Sequence, residues 1–181
     1  MSAEEDETPS GYASPPCFMH EVDHAYGGFA VDPAQAADVK RWRKSERERL
    51  ISARLAMKSE ARRADGERIA SGLARAIGDP SGKIVSAYWP FRGEPDLRGF
   101  LERIVAGGGR TALPIVVEKG RPLVFRTWSP GEALERGVWN IPVPAGGEEV
   151  VPDVVISPVV GFDSLCYRLG YGGGFYDRTL A

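Results

Sequence analysis

The sequence is poor in cysteine. Cys17 and Cys166 are the only two cysteines in 181 residues, and they lie far apart. Small secreted domains that depend on disulfides carry several cysteine pairs, so this pattern favours a protein with reduced thiols in the cytoplasm. The chain also lacks any run near the roughly 18 apolar residues of a membrane span, and its N-terminus is acidic where a signal peptide would be basic. We therefore expect a soluble, cytoplasmic protein without a membrane partner.

An excess of positive charge is missing as well. The 23 Lys and Arg residues are balanced by 25 Asp and Glu residues, which gives a net charge of -2 and a pI near 5.8. A nucleic-acid-binding domain carries a strong basic excess, so no nucleic-acid partner is expected. With 43% hydrophobic residues, a chain of this length can bury one core, and we expect a monomer with a single folded domain.

Histidine is scarce, and both histidines lie in one short motif. His20 and His24 flank Glu21 with the spacing of a zinc protease, in which a helix places both imidazoles on one face. Prolines precede the motif, glycines follow it and the chain has no third histidine, so the helical context is missing. Packing of this segment onto the domain is the favoured interpretation. A zinc peptidase with a carboxylate as its third ligand is a remote alternative.

The N-terminal part of the chain differs in composition from the rest. Its first 14 residues are rich in Glu, Asp, Ser and Pro and contain almost nothing to bury. Helical periodicity begins only at Pro33. We therefore predict a largely disordered N-terminal arm over residues 1–32 and a folded domain over residues 33–181.

The rest of the chain alternates between helical and extended patterns. Apolar residues at four-residue spacing predict two helices between residues 33 and 77, with a break near residues 57–59 or at Gly66. A third helix is expected after Asp96, and a short fourth from Ser129 to Gly137. Apolar runs predict strands that begin at Ile84, Thr111, Pro122 and Val151. This alternation predicts an α/β fold: a single three-layer α/β/α domain with a mostly parallel sheet.

A glycine-rich loop near residue 170 is the main candidate for a functional site. It follows the apolar run 151–160 and contains Gly170, Gly172, Gly173 and Gly174. Glycines allow positive φ and let backbone N–H groups approach an anion closely. Arg168 opens the loop with a planar fork suited to phosphate oxygens, and Asp177 is the kind of hard oxygen ligand that Mg²⁺ takes.

Aromatic residues accompany this loop and offer flat faces for a ring-shaped ligand: Tyr171, Phe175 and Tyr176. The loop is not a Walker motif, because no Gly-Lys-Ser/Thr follows it. An isolated glycine cluster is commonly only a flexible turn. The arginine, the carboxylate and the aromatic residues together favour a site for a nucleotide with magnesium.

Other segments carry residues suited to the same ligand. Arg43 and Arg47 lie one helical turn apart, so both can meet a phosphate chain. The loop 90–95 follows a strand at its carboxyl end, where ligands bind in open α/β sheets. Trp139 precedes a proline-rich stretch that we expect to be irregular, and it is either a core residue, the default for a large aromatic, or the wall of a pocket.

Three motifs together resemble the 5-formyltetrahydrofolate cyclo-ligase family, whose members are also called 5,10-methenyltetrahydrofolate synthetases. They are the runs 88–96, reading Tyr-Trp-Pro-Phe-Arg-Gly-Glu-Pro-Asp, 139–144, reading Trp-Asn-Ile-Pro-Val-Pro, and 161–178, which holds Gly-Phe-Asp and then Arg-Leu-Gly-Tyr-Gly-Gly-Gly-Phe-Tyr-Asp-Arg. With the basic first helix, the resemblance extends from about residue 40 to the last residue.

The resemblance implies the family's Rossmann-like fold and an ATP- and Mg²⁺-dependent ring closure. In this reaction 5-formyltetrahydrofolate becomes 5,10-methenyltetrahydrofolate, and ADP and phosphate are released. By motif position, the ATP-binding residues would be Arg43, Lys44, Arg47, Arg168, Gly170, Gly172, Gly173, Gly174 and Tyr176. The residues that bind the reduced folate would be Trp89, Glu94, Trp139, Tyr171 and Phe175. The resemblance also implies Asp177 as the metal ligand and Arg168 and Tyr176 as catalytic residues.

The sequence departs from the family pattern at three places. Arg43 stands where the family usually has lysine, with Lys44 beside it, and Cys166 stands where glycine is common. Family members continue past the Tyr-Asp-Arg motif through further strands and another acidic metal ligand, whereas this sequence ends at Ala181. A truncated, non-catalytic relative that binds nucleotide or folate is therefore the alternative function.

Overall fold

The structure, a computed structural model, describes residues 33–181. The predicted N-terminal arm, with His20 and His24, lies outside the described residues. Within residues 33–181, no helix is long and apolar enough to cross a bilayer.

Two helices open the described chain, as the sequence predicts. The first, α1, spans Pro33–Ala56, and the second, α2, spans Ser59–Ile77. The break falls at residues 57 and 58, the first of the two predicted positions. Gly66, the other candidate, lies inside α2 and is buried together with Ala70. By contrast, none of the described side chains of α1 is fully buried.

The remaining elements are short. In chain order they are β1 (Ile84–Ser86), α3 (Arg98–Ala106), β2 (Arg110–Ile115), β3 (Val124–Thr127), β4 (Leu134–Arg136), β5 (Pro142–Pro144), β6 (Glu149–Val150), β7 (Val154–Val155), β8 (Gly161–Phe162), β9 (Arg168–Leu169) and α4 (Phe175–Thr179). The apolar run 151–160 was predicted as one strand. Only Val154 and Val155 pair within it, and the rest of the run is irregular.

A five-stranded sheet forms the centre of the domain, in the order β6, β3, β2, β1, β7. Strand β1 runs parallel to β2 and β7, whereas β3 is antiparallel to both β2 and β6. The predicted α/β class is confirmed. The sheet is mixed and not mostly parallel, because the short turn after β2 returns the chain as a hairpin, which forces an antiparallel pairing.

Consecutive residues of the central strands point to opposite faces of the sheet, and helices cover both faces. On one face, Leu113 belongs to a cluster with Phe100 and Ile104 of α3 and Ala70 of α2. On the other face, Ala112 of β2 packs in a cluster with Phe125 of β3, against which Phe175 and Tyr176 of α4 rest. The three-layer arrangement of the prediction is present, with α4 as a thin third layer.

The segment 129–144 differs from the prediction. Ser129 and Glu132 form a turn and not a helix: the Ser129 amide donates to Glu132 Oε2 at 2.9 Å, and the Glu132 amide donates to the Ser129 carbonyl at 3.0 Å. The chain then forms a two-stranded antiparallel ladder, β4 with β5. Strand β5 begins and ends with proline, which an edge strand tolerates because an edge residue can leave its N–H unpaired.

Candidate functional site

A cavity of about 720 Å³ opens beyond the carboxyl ends of β1, β2 and β7. This is the edge of an open α/β sheet at which ligands are expected. Twelve of the residues proposed from the sequence line it: Trp89, Glu94, Trp139, Arg168, Gly170, Tyr171, Gly172, Gly173, Gly174, Phe175, Tyr176 and Asp177. The three motifs, which are up to ninety residues apart in sequence, therefore meet at one cavity.

The glycine-rich loop connects β9 to α4 and needs glycine at two points. Gly172 and Gly174 have φ of 92° and 65°, in the left-handed region that side chains disfavour. Arginines hold two loop carbonyls: Arg47 Nε donates to the Gly170 carbonyl at 2.6 Å, and Arg178 Nη2 donates to the Gly173 carbonyl at 2.6 Å. The loop is thus fixed from both sides by cationic side chains.

The amides of this loop are available to a ligand. Among the described residues, no hydrogen bond uses the N–H groups of Gly172, Gly173 or Gly174. Successive backbone N–H groups in such turns form concave anion sites. A backbone donor left without a partner is stabilised by a ligand or by water, so this loop suits the oxygens of a phosphate group.

Arg168, at the start of the loop, contacts three polar or aromatic groups. Its guanidinium hydrogen-bonds to Ser157 Oγ and forms an ion pair with Asp177, and it lies 5.6 Å from the centre of the Tyr176 ring. The Arg168 and Asp177 side chains are each 21% exposed. The pairing keeps the arginine fork and the carboxylate side by side at the cavity wall, where the arginine suits an anion and the carboxylate a cation.

The cavity wall also carries a buried carboxylate. Glu94 is 6% exposed; its Oε2 accepts from the Phe91 amide at 2.8 Å, and its Oε1 accepts from the Tyr171 hydroxyl at 3.0 Å. Burial raises the pKa of the Glu94 carboxyl above its usual value, against the opposing effect of these two bonds and of Arg54. Burial, with the neighbouring Glu94 charge, also raises the pKa of Tyr171 to about 12, so its hydroxyl remains a donor at neutral pH.

Aromatic side chains form the remaining walls. Trp139 packs edge-on against Phe175, with ring centres 5.6 Å apart, and Trp89 packs edge-on against Trp128 at 5.7 Å. Trp139 is 61% exposed, so of the two interpretations of this residue the pocket wall fits and the core does not. Its φ of 55° is a left-handed conformation that a tryptophan seldom adopts. Such strain is typical of residues that present a side chain to a ligand.

The basic residues of α1 divide into two groups. None of Arg43, Lys44 and Arg47 lines the cavity. Arg47 nevertheless reaches the glycine-rich loop through its bond to the Gly170 carbonyl, whereas Lys44 is exposed. A residue that the sequence did not single out, Arg54, also reaches the site: its Nη2 donates to the Tyr171 hydroxyl at 2.5 Å. The signal for Arg54 was its place seven residues after Arg47, which puts both on the same face of a helix.

The residues at the cavity fit a nucleotide with one divalent cation better than a metal centre built from protein ligands. Within residues 33–181 there is no group of three or more His, Cys, Asp and Glu side chains that could hold a metal ion. Mg²⁺ commonly takes only one or two carboxylates and completes its shell with phosphate oxygens and water. Asp177 offers one carboxylate beside the loop amides, which is the donor set for that case.

Comparison with known protein families identifies relatives across most of the described chain. A family model described as the 5-formyltetrahydrofolate cyclo-ligase family matches residues 39–181. A 5-formyltetrahydrofolate cyclo-ligase of Escherichia coli (strain K12) is 36% identical over 102 residues, which cover 53% of this chain and 56% of that protein. The enzyme of the same name from Mycolicibacterium smegmatis is 35% identical over 108 residues, with 55% and 56% covered. The chain thus matches these curated relatives over about half of their length.

Solved structures with the same fold include two synthetases. The NMR structure of the 5,10-methenyltetrahydrofolate synthetase from Aquifex aeolicus matches with a TM-score of 0.65 and 30% identity, over 76% of this chain and 71% of that chain. The 5,10-methenyltetrahydrofolate synthetase from Mycoplasma pneumoniae matches with a TM-score of 0.61 over 76% of each chain. At 22% identity, this second match supports the fold alone.

Proposed function

The chain belongs to the 5-formyltetrahydrofolate cyclo-ligase family, and on that premise we propose that it converts 5-formyltetrahydrofolate to 5,10-methenyltetrahydrofolate with ATP. One observation carries the proposal: a single cavity is lined both by aromatic side chains with the buried carboxylate of Glu94 and by a glycine-rich loop with Arg168. A flat, hydrogen-bonding ligand fits the first set of residues and a phosphate chain fits the second. The reaction joins these two kinds of substrate.

The folate is proposed to bind at the wall that Glu94 and the aromatic residues form. A pterin ring is flat and has an edge of N–H groups, and an ionised carboxylate accepts hydrogen bonds from such an edge. Trp89, Trp139 and Phe175 offer ring faces and edges for stacking. The Tyr171 hydroxyl, already bound to Glu94 at 3.0 Å, fixes the direction of that carboxylate.

ATP is proposed to place its phosphates on the glycine-rich loop. The loop amides would donate to phosphate oxygens, Arg47 and Arg168 would neutralise charge, and Tyr176 would lie beside the phosphates. Asp177 would hold Mg²⁺, which would supply positive charge to the phosphate chain. Arg43 and Lys44 belong to this proposal only as residues of the same helix that a long nucleotide could reach.

The chemistry follows from bringing the two substrates together. The formyl oxygen attacks the γ-phosphorus, the bond to the β-phosphate oxygen breaks and ADP leaves. The neighbouring folate nitrogen then attacks the activated formyl carbon and loses its proton to the departing phosphate, which leaves with the former formyl oxygen as the ring closes. The chain's part is alignment and charge stabilisation: Arg168 holds the transferred group, and the aromatic walls exclude water.

The test compares product formation in the wild-type chain and in Arg168→Lys, measured as ATP-dependent near-ultraviolet absorbance of the methenyl product. Lysine keeps the charge but loses the bidentate fork, so the rate should fall about a hundredfold, near 3 kcal/mol of transition-state stabilisation. Arg110→Lys is the matched control. Arg110 does not line the cavity, and it forms an ion pair with Glu148 over an N–O distance of 2.7 Å. This variant should retain the wild-type rate.

The outcomes separate the alternatives. A wild-type rate in Arg168→Lys would remove the glycine-rich loop as the phosphate site. A wild-type chain that binds both ATP and the folate without forming product would favour the non-catalytic, binding-only function. Monomeric state and cytoplasmic location stay predictions, which sedimentation and fractionation would test.

A further inference from the structure

Arg54, on the last turns of α1, connects three separate segments of the chain. Its Nε donates to the Arg92 carbonyl at 3.1 Å, its Nη1 to the Val159 carbonyl at 3.1 Å, and its Nη2 to the Tyr171 hydroxyl at 2.5 Å. These acceptors lie in the loop after β1, the segment after β7 and the glycine-rich loop. Each of the three guanidinium nitrogens therefore donates a hydrogen bond to another part of the protein. Arg54 itself does not line the cavity.

The first of these bonds holds a strained turn. Arg92 has φ of 46° and Gly93 has φ of 76°, two successive left-handed residues directly before Glu94. A Cβ at Gly93 would lie 3.4 Å from Leu55 Cδ2 and 3.6 Å from Arg54 Cγ, so α1 packs closely on this turn. A non-glycine residue in this conformation needs support from its surroundings. The bond from Arg54 to the Arg92 carbonyl is such support.

The third bond continues to the carboxylate. The Tyr171 hydroxyl accepts from Arg54 and donates to Glu94 Oε1 at 3.0 Å, which makes a chain from guanidinium to phenol to carboxylate. Glu94 is thus held twice by Arg54: through the turn that precedes it in sequence and through Tyr171 from the facing loop. Removal of the fork would release both restraints, whereas the phosphate-side contacts of Arg47 and Arg168 involve other atoms.

We propose that Arg54 is a positioning residue that sets Glu94 and Tyr171 for the flat, N–H-bearing substrate and leaves the phosphate half of the cavity unaffected. The inference rests on the proposed function, since it assigns the folate to the wall of Glu94. It differs from a phosphate-binding role for a basic residue of α1 because all three nitrogens of Arg54 already donate to the protein.

The test is a comparison of Arg54→Lys with Arg49→Lys. Arg49 lies on the same helix and is exposed, and among residues 33–181 it bonds only to Glu46, at 2.5 and 2.9 Å. A lysine at position 54 cannot reach three acceptors in three directions, so charged hydrogen bonds are lost and the KM for 5-formyltetrahydrofolate should rise about tenfold. The KM for ATP should change less than about twofold, and Arg49→Lys should match wild type in both.

A double-variant cycle separates positioning from a general structural effect. Tyr171→Phe keeps the ring and removes the hydroxyl, so in that background Arg54→Lys should raise the folate KM by a smaller factor than in the wild-type chain. Equal increases in the two KM values, additive effects of the two substitutions, or a wild-type folate KM in Arg54→Lys would overturn the inference.

A wild-type chain without turnover would count against the proposed function, and equilibrium binding of 5-formyltetrahydrofolate would then decide the inference. Weaker folate binding by Arg54→Lys than by Arg49→Lys would support it. Equal binding by the two variants, or no folate binding by the wild type, would overturn it.

Discussion

At the scale of single residues, the buried Glu94 carboxyl makes the stability of the fold depend on pH. Burial is the main cause that raises the pKa of this carboxyl above the ordinary value of a glutamate. A carboxyl with a raised folded-state pKa stabilises the fold while it is protonated, below the unfolded pKa. That contribution is lost as the pH rises through the folded pKa, because the ion is then held in a poorly solvated place.

Glu94→Gln removes this titration. From about pH 4 to about pH 7, the wild-type protein should lose stability relative to Glu94→Gln. The melting temperature of the variant should therefore rise relative to that of the wild type as the pH increases. Thermal unfolding at several pH values measures the difference. Glu118→Gln, at an exposed carboxylate whose ion-pair distance to Arg121 is 4.0 Å, is the control and should run parallel to wild type. Parallel curves for Glu94→Gln as well would contradict the expectation.

A second residue-scale prediction concerns Cys166, a non-glycine residue with a left-handed backbone conformation. Cys166 has φ of 65° in the turn between β8 and β9, and its amide donates to the Asp163 carbonyl at 3.0 Å. Cys166→Gly should raise the free energy of unfolding by about 0.5 to 1 kcal/mol, because relief of left-handed strain exceeds the added entropy of the unfolded chain. Denaturant titration measures this free energy of unfolding. Cys166→Ser keeps the strain and should show no gain; an equal gain there would contradict the argument.

At the scale of elements, α2 contains two glycines in different surroundings. A Cβ at Gly66 would lie 3.9 Å from the backbone of Asp96, an ordinary contact, and a Cβ at Gly72 would meet nothing within 4 Å. Both Gly→Ala substitutions should therefore stabilise the protein by about 1 kcal/mol from helix propensity. Chemical denaturation compares the two variants. A loss of stability at Gly66 alone would mean that α2 and the loop at Asp96 pack too tightly for a methyl group.

Local patterns decided which elements the sequence predicted well. The helices from residue 33 to residue 77 and the break at residue 57 follow from apolar periodicity, which depends only on neighbouring residues. The β4–β5 hairpin was missed because its turn uses Trp139 and Asn140 at φ of 55° and 61°, where hairpin signals normally involve glycine. The strand predicted for residues 151–160 was too long, because apolar content does not show where the neighbouring strand stops pairing.

The sequence predicted those candidate site residues that belong to short motifs, and it missed one that depends on tertiary contacts. Arg168, Asp177 and the loop glycines were proposed because phosphate and magnesium binding need these residue types close in sequence, and the structure brings them to one cavity; their roles stay predictions. Arg54 was missed because its partners, Val159 and Tyr171, lie 105 and 117 residues away, and its place seven residues after Arg47 does not by itself separate a site residue from a solvent-exposed arginine. Positioning residues act through tertiary contacts, which a single sequence does not contain.

At the scale of the whole molecule, α1 differs from the rest in how it is held. The two core clusters join the sheet to α2, α3 and α4, and neither includes a residue of α1. Arg47 and Arg54 instead attach α1 through hydrogen bonds to the glycine-rich loop and to the segments beside it. One wall of the site thus rests on a helix with no fully buried side chain among those described.

This mode of attachment has a consequence for the order of folding. The bond from Arg47 to Gly170 spans 123 residues, so it closes a long loop, and the entropy lost on closure has little apolar burial to offset it. We expect α1 to dock after the transition state: Arg47→Ala should speed unfolding and leave the folding rate unchanged, whereas Leu101→Ala in the core should also slow folding. Stopped-flow tryptophan fluorescence measures both rates. The chain would then acquire its core first, and its glycine-rich loop would reach its final form only when the first helix docks.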